Sequence, residues 1–177
     1  MNKRWKYLSI AIITGLILLF IDLKVKSIAN QQLALHQRVD TFIPVLDLYL
    51  THNTGYHYIF GKIDNHQLWS LFGLAMGLIL IVSFSYSLLK EKTELFFLKI
   101  YAVILALTIG AMGNVLEILF TGKATDFFIF HPFPWPSNIC DQYINAIIYI
   151  IIPVVLIKYI INWIRERNKK KEAKQEQ

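Results

Sequence analysis

The chain has 177 residues, 55% of them hydrophobic and 14% aromatic, with a mean hydropathy of +0.46 and a formal charge of +6. That is too apolar for an ordinary soluble domain and short for more than one domain. The positive excess sits at the ends, in Lys3, Arg4 and Lys6 and in the run from Arg165 to Lys171, which marks membrane topology rather than a nucleic-acid surface.

Taken in chain order, the first apolar run covers 7–29, apolar from Tyr7 to Ile21 and amphipathic on to Ala29. Crossing a hydrocarbon core of about 30 Å takes roughly 20 residues, so this span must use the residues around Asp22. The basic opening and the apolar run also fit a secretory signal peptide. No small-residue cleavage site follows in IDLKVKSIAN, so the segment is read as a retained anchor.

Residues 36–66 do not form a span. Apolar and polar positions alternate at Val45, Asp47, Tyr49 and Thr51, and Asn53, Gly55 and Gly61 are turn residues. The pattern predicts a small, half-buried antiparallel sheet on the membrane surface, with Tyr49, Tyr56, Tyr58 and Phe60 in the interfacial layer. Further spans are predicted at 68–89, 95–120 and 142–164. Between the last two, Pro132, Pro134 and Pro136 forbid helix and predict an extended or polyproline-like hairpin. The Lys/Glu/Gln tail, 165–177, is expected to be frayed.

The predicted fold class is an α-helical integral membrane protein. Four transmembrane helices carry a small extracytoplasmic antiparallel β-sheet between helices 1 and 2. Residues 1–164 form one membrane-embedded domain and 165–177 a basic cytoplasmic tail. With the N-terminus cytoplasmic, Lys90, Lys92 and the basic tail also fall inside, whereas the 120–141 connection carries only Lys123. Both termini are therefore expected in the cytoplasm.

Cys140 is the single cysteine, which excludes an intramolecular disulfide and a multi-cysteine metal cage. It is read as a packing residue. The five histidines show no pair at ligand spacing on a helix, so no metal site is expected.

Two aspartates, Asp126 and Asp141, flank the proline-rich connection. A carboxylate near a helix centre in a membrane costs on the order of 2.5–3.5 kcal/mol, so such residues point to function by default. A hairpin between antiparallel neighbouring spans brings the two together, where they can share one proton and activate a water. The plainer reading makes Asp141 a helix N-terminal residue and either pairs Asp126 with Lys123 or leaves it facing solvent in a loop. Against it stand Asn114 and Glu117, three apart on one face of the third span, and Asn138, three before Asp141. Polar groups aimed at one region form an orienting network.

These landmarks resemble the lipoprotein signal peptidase family, the signal peptidase II aspartyl endopeptidases of bacterial inner membranes. The resemblance covers nearly the whole chain. Asp22 and Lys26 match its aspartate and lysine beyond the first span, and Asn53 and Gly55 its asparagine–x–glycine. Gly113 and Asn114 match its glycine–asparagine, Asp126 and Phe127 its first catalytic aspartate, and Asn138 and Asp141 its asparagine–x–alanine–aspartate. The chain departs where the family has aspartate–arginine, carrying Glu117 and Ile118, and where it has alanine, carrying Cys140.

The resemblance implies a peptidase that cleaves before the lipid-modified cysteine of diacylglyceryl-modified prolipoproteins, at the extracytoplasmic face of the bacterial cytoplasmic (inner) membrane. It implies Asp126 and Asp141 as catalytic, with Asn53, Gly55, Asn114, Glu117, Asn138, Asp22 and Lys26 supporting or binding substrate. Neither cofactor nor metal is required. The implied partners are prolipoproteins and membrane lipid but not nucleic acid; the oligomeric state stays open, with a monomer the expectation. Two other readings stand beside this one. One is a non-catalytic relative that binds lipidated peptide. The other is an ion-coupled transporter, which should hold its carboxylates at mid-bilayer or show repeated halves.

Overall fold

The computed structural model describes residues 2–53, 66–90, 94–133 and 135–175. Among the described residues, four helical segments are long and apolar enough to cross a membrane: Lys3–Gln32, Leu68–Leu89, Leu95–Thr121 and Ile139–Lys169. The contact pattern divides the chain into two compact units, Met1–Ile144 and Asn145–Gln177.

The first unit opens with helix α1, Lys3–Gln32. The Asn2 side chain caps its start by accepting from the Arg4 amide at 3.2 Å. Strands β1 (Arg38–Asp40) and β2 (Leu46–Asn53) follow, then helices α2 (His66–Leu89) and α3 (Leu95–Thr121). Gly122, at φ 76°, ends α3 in the left-handed region and returns its amide to the Ile118 carbonyl at 2.8 Å. The chain then forms β3 (Ala124–Phe130), β4 (Pro136–Ser137) and helix α4 (Ile139–Ala146), which runs into the second unit.

Small residues let the helices approach closely, as membrane helices require. A methyl group at Gly15 of α1 would stand 2.7 Å from Ile109 Cβ of α3. Leu8, Ala11, Leu88, Leu98, Leu105 and Ile109 pack at one end of α1, α2 and α3. At that end the Arg4 guanidinium donates to the last-turn carbonyl of Leu89 at 3.2 Å, where the α2 dipole favours a cation. Large apolar side chains such as Ile13, Leu16, Ile17 and Phe20 stay exposed on α1, the surface expected where lipid is the solvent.

At the opposite end, four strands among the described residues run in the order β1-β2-β3-β4, each neighbouring pair antiparallel. The hairpin predicted from the prolines thus contributes two strands to the sheet foreseen between the first two spans. Alternation at Val45, Asp47, Tyr49 and Thr51 announced β2, but β3 is buried at every position through Ile129 and shows no period of two. Residues 54–65, including Gly55, Tyr56, Tyr58, Phe60 and Gly61, lie outside the described residues. Beneath the sheet, Ala29 of α1 packs with Leu50, Phe127 and Phe128.

The second unit consists of a π-helical turn, Ile147–Ile151, and helix α5, Ile152–Gln175. The tail expected to fray is helical through Gln175. Its charged residues are good helix formers, and Arg167 lies over the Trp163 ring one turn back, 5.3 Å from its centroid.

Candidate active site

Strand pairing sets Asp126. It stands on β3 opposite Thr51 of β2, 6% exposed. Asp141 is set by a helix start. Asn138 caps α4, its side-chain oxygen accepting from the Asp141 amide at 3.2 Å, while Asp141 Oδ2 accepts from the Asn138 amide at 3.0 Å. This reciprocal pair satisfies two amides that the helix cannot. The helix-terminal reading of Asp141 therefore holds, but it does not exhaust the residue. Asn138 keeps its amide nitrogen free of the cap and donates it to Asp126 Oδ1 at 2.5 Å. One fully buried asparagine holds both carboxylates.

A second cluster backs the first. Asp22, Lys26 and Asn30 recur every four residues on α1, so they share one face of that helix. Lys26 Nζ meets Asp22 Oδ2 at 2.9 Å and Glu117 Oε2 at 3.1 Å, and it donates to Asn114 Oδ1. Two carboxylates and an amide oxygen thus surround the ammonium, which suits a lysine only 2% exposed. The Asp22 contact is an ion pair lying outside hydrogen-bond directions. Its other oxygen, Oδ1, accepts from the Cys140 amide at 3.1 Å. Asn114 completes the link by donating Nδ2 to Asp141 Oδ1 at 3.0 Å. Gly113 leaves room for this packing, since a Cβ there would run into Asp22 Oδ2 and stand 2.7 Å from Cys140 Sγ.

Burial and the neighbouring Asp141 carboxylate push the Asp126 carboxyl up to about 7, against the opposing effects of the Asn138 amide and Lys26. A carboxyl that keeps its proton near neutrality can donate a hydrogen bond and later release that proton. Cys140 is fully buried and donates its thiol to the Gly110 carbonyl at 3.3 Å.

Residues 13–158 match the family model for signal peptidase (SPase) II. The chain belongs to the signal peptidase II family. The lipoprotein signal peptidase of Aquifex aeolicus is 30% identical over 160 residues, which cover 88% of this chain and 86% of that protein. Those of Hydrogenovibrio crunogenus and Sinorhizobium fredii are 29% identical over 163 residues and 27% over 135, covering 89% and 74% of this chain and 87% and 76% of those proteins. Two solved bacterial membrane enzymes, both studied by the in meso method, share the fold at 20% identity. Their TM-scores are 0.65 and 0.64, with 86% and 84% of this chain and 90% and 92% of theirs covered.

Set against this signal peptidase II fold, the sequence singled out Asp22, Lys26, Asn114, Glu117, Asp126, Asn138 and Asp141, and these form the connected network described above. Asn53 stands at the exposed end of β2, opposite Ala124, and Gly55 lies outside the described residues. Lys123, considered as a partner of Asp126, instead donates to His52 Nδ1 at 3.1 Å. Burial and this ammonium hold His52 below the usual imidazole range.

Sequence reasoning missed Asn30 and Thr125. Asn30 donates to the Lys26 carbonyl and to Thr125 Oγ1, each at 3.0 Å, and accepts from His52 Nε2 at 2.7 Å. The spacing of four from Asp22 through Lys26 is the signal that could have found Asn30. At the outer edge of the sheet, Asp47 Oδ2 lies 2.9 Å from His131 Nε2 and accepts from Arg38 Nε at 2.5 Å, contacts that hold its carboxyl below the usual range and clasp β1, β2 and the end of β3.

Proposed function

We propose that this chain is the aspartyl endopeptidase that removes signal peptides from diacylglyceryl-modified prolipoproteins in a bacterial inner membrane, with both termini cytoplasmic and the dyad at the extracytoplasmic face. The observation that carries the reading is the pair Asp126 and Asp141 bound to the one buried residue Asn138. Two carboxyls so held share a proton, which gives one acid and one base around a water.

Asp141 accepts two N–H bonds, from Asn114 and Asn138, and serves as the base. Asp126, held up to about 7, serves as the acid. The substrate's lipidated cysteine lies at the lipid boundary and its scissile carbonyl lies between the carboxyls. Asp141 takes a proton from water as its oxygen bonds to the carbonyl carbon, and the Asp126 proton polarises the carbonyl oxygen. Collapse breaks the C–N bond and Asp126 protonates the departing amine. The proton left on Asp141 returns to the pair, which is then ready for another water. Glu117, Lys26, Asp22 and Asn114 orient the base, and Asn53 and Gly55 serve substrate binding. The only partners required are the prolipoprotein and lipid, and a monomer suffices.

The test is cleavage by purified protein of a prolipoprotein with and without its diacylglyceryl group, followed by mass spectrometry of the products. Cleavage before the modified cysteine in the lipidated substrate alone supports the reading. Binding without cleavage transfers the chain to the non-catalytic class.

A further inference from the structure

Thr125 precedes Asp126 on β3 and is fully buried. Its amide donates to Glu117 Oε2 at 3.0 Å and its hydroxyl to Glu117 Oε1 at 2.5 Å, so both carboxylate oxygens of Glu117 hold one residue. The hydroxyl also accepts from Asn30 Nδ2 at 3.0 Å. Glu117 Oε2 in turn faces Lys26 Nζ at 3.1 Å, Lys26 donates to Asn114, and Asn114 donates to Asp141. An unbroken polar path therefore joins the residue before one aspartate to the other aspartate.

The β2–β3 ladder alone does not fix this point. Its register shifts between Leu48 and Thr51, so the irregularity falls immediately beside the pair Thr51↔Asp126. An extra residue in one strand re-aims side chains and raises the local twist. Whatever anchors β3 here sets where the Asp126 carboxyl points.

We propose that Thr125 is a positioning residue: clamped to Glu117 through its amide and its hydroxyl, it fixes β3 and the Asp126 carboxyl against the Lys26 cluster that holds Asp141. The inference rests on the dyad reading above and adds the residue that sets the dyad's geometry. Thr125 touches no reacting atom. Its effect passes through Asp126, so it acts on the chemical step more than on substrate affinity.

The experiment compares wild type, Thr125→Val, Thr125→Ser, Glu117→Gln and Asp126→Asn as full-length proteins in proteoliposomes, with a diacylglyceryl-modified prolipoprotein as substrate. Thr125→Val keeps the shape and the amide but removes the hydroxyl. Misplacing a catalytic group by a fraction of an ångström costs roughly tenfold, so kcat should fall about that much while KM stays within about threefold. Thr125→Ser should restore kcat to within about threefold of wild type. Glu117→Gln should lower kcat and move the basic limb of the pH profile downward, because a negative charge near Asp126 is removed.

Wild-type kcat in Thr125→Val, a loss that serine does not restore, or a loss that only tracks the melting temperature overturns the clamp. Should Thr125→Val not fold, Glu117→Gln decides, and an unchanged kcat and pH profile there has the same force. An active Asp126→Asn overturns the dyad reading and the clamp with it, whereas an inactive Asp126→Asn beside a normal Thr125→Val removes the clamp alone.

Discussion

Burial and the neighbouring Asp141 carboxylate raise the Asp126 carboxyl to about 7, and this has two measurable consequences. A single carboxyl moved from 3.8 to about 7 binds a proton in the folded state that the unfolded chain has already lost. The associated stability is fully present below about pH 4 and is lost as pH rises through about 7, on the order of 4 kcal/mol for the complete change. Thermal unfolding in detergent between pH 4 and 8 should therefore show wild type losing stability relative to Asp126→Asn, which does not titrate at this site. Parallel curves would mean that the carboxyl is not held. The same proton shapes activity: kcat/KM should be bell-shaped with a basic limb near pH 7, where the pair loses its acid. The one polar residue beside Asp126 that the sequence did not flag, Thr125, is missed for a simple reason. A threonine in an apolar strand looks like a β-former, and its partner Glu117 lies eight positions away across a helix end.

Among the elements, α1 carries a buried charge pair, Asp22 and Lys26, and its contacts decide how it is tolerated. Lys26 and Asp22 are both nearly or fully buried. Removing one member of a buried ion cluster costs about 3–5 kcal/mol, because the partners are left desolvated and unpaired. Lys26→Met should lower the unfolding free energy by about that much, the like-charged Asp22 and Glu117 then facing each other without the ammonium. A change under about 1 kcal/mol would show water reaching the cluster. The helices themselves were legible because lipid as a solvent imposes length and apolarity on each span. The sheet was half legible. Alternation exposed β2, while β3 and β4, buried on both faces or rich in proline, offered no periodic signal. The pairing of β3 with β2 joins distant stretches of chain, such as Thr51 with Asp126.

For the whole molecule, the proposed orientation, with both termini cytoplasmic and the dyad extracytoplasmic, rests on the lysine and arginine bias. Reporter fusions between α2 and α3 and at the C-terminus should read cytoplasmic, and one near Asn65 extracytoplasmic. A cytoplasmic reading near Asn65 would move the dyad to the wrong side for a secreted substrate. Two landmarks near the ends of spans, Asp126 and Asp141, were readable as a pair because charge beside a membrane is costly and a short hairpin joins their helices. The network that fixes them was not, since Lys26 reaches Asn114 and Glu117 across about 90 residues of chain. The central claim is that these two carboxyls perform the cleavage, and one assay addresses it most directly. Purified wild type and the Asp126→Asn and Asp141→Asn variants are presented with the same diacylglyceryl-modified prolipoprotein, folding being verified by thermal unfolding. Wild type should release the signal peptide and each folded variant should release none, because each keeps its shape but lacks the titrating group. Release by either folded variant at a rate within about tenfold of wild type would contradict the account.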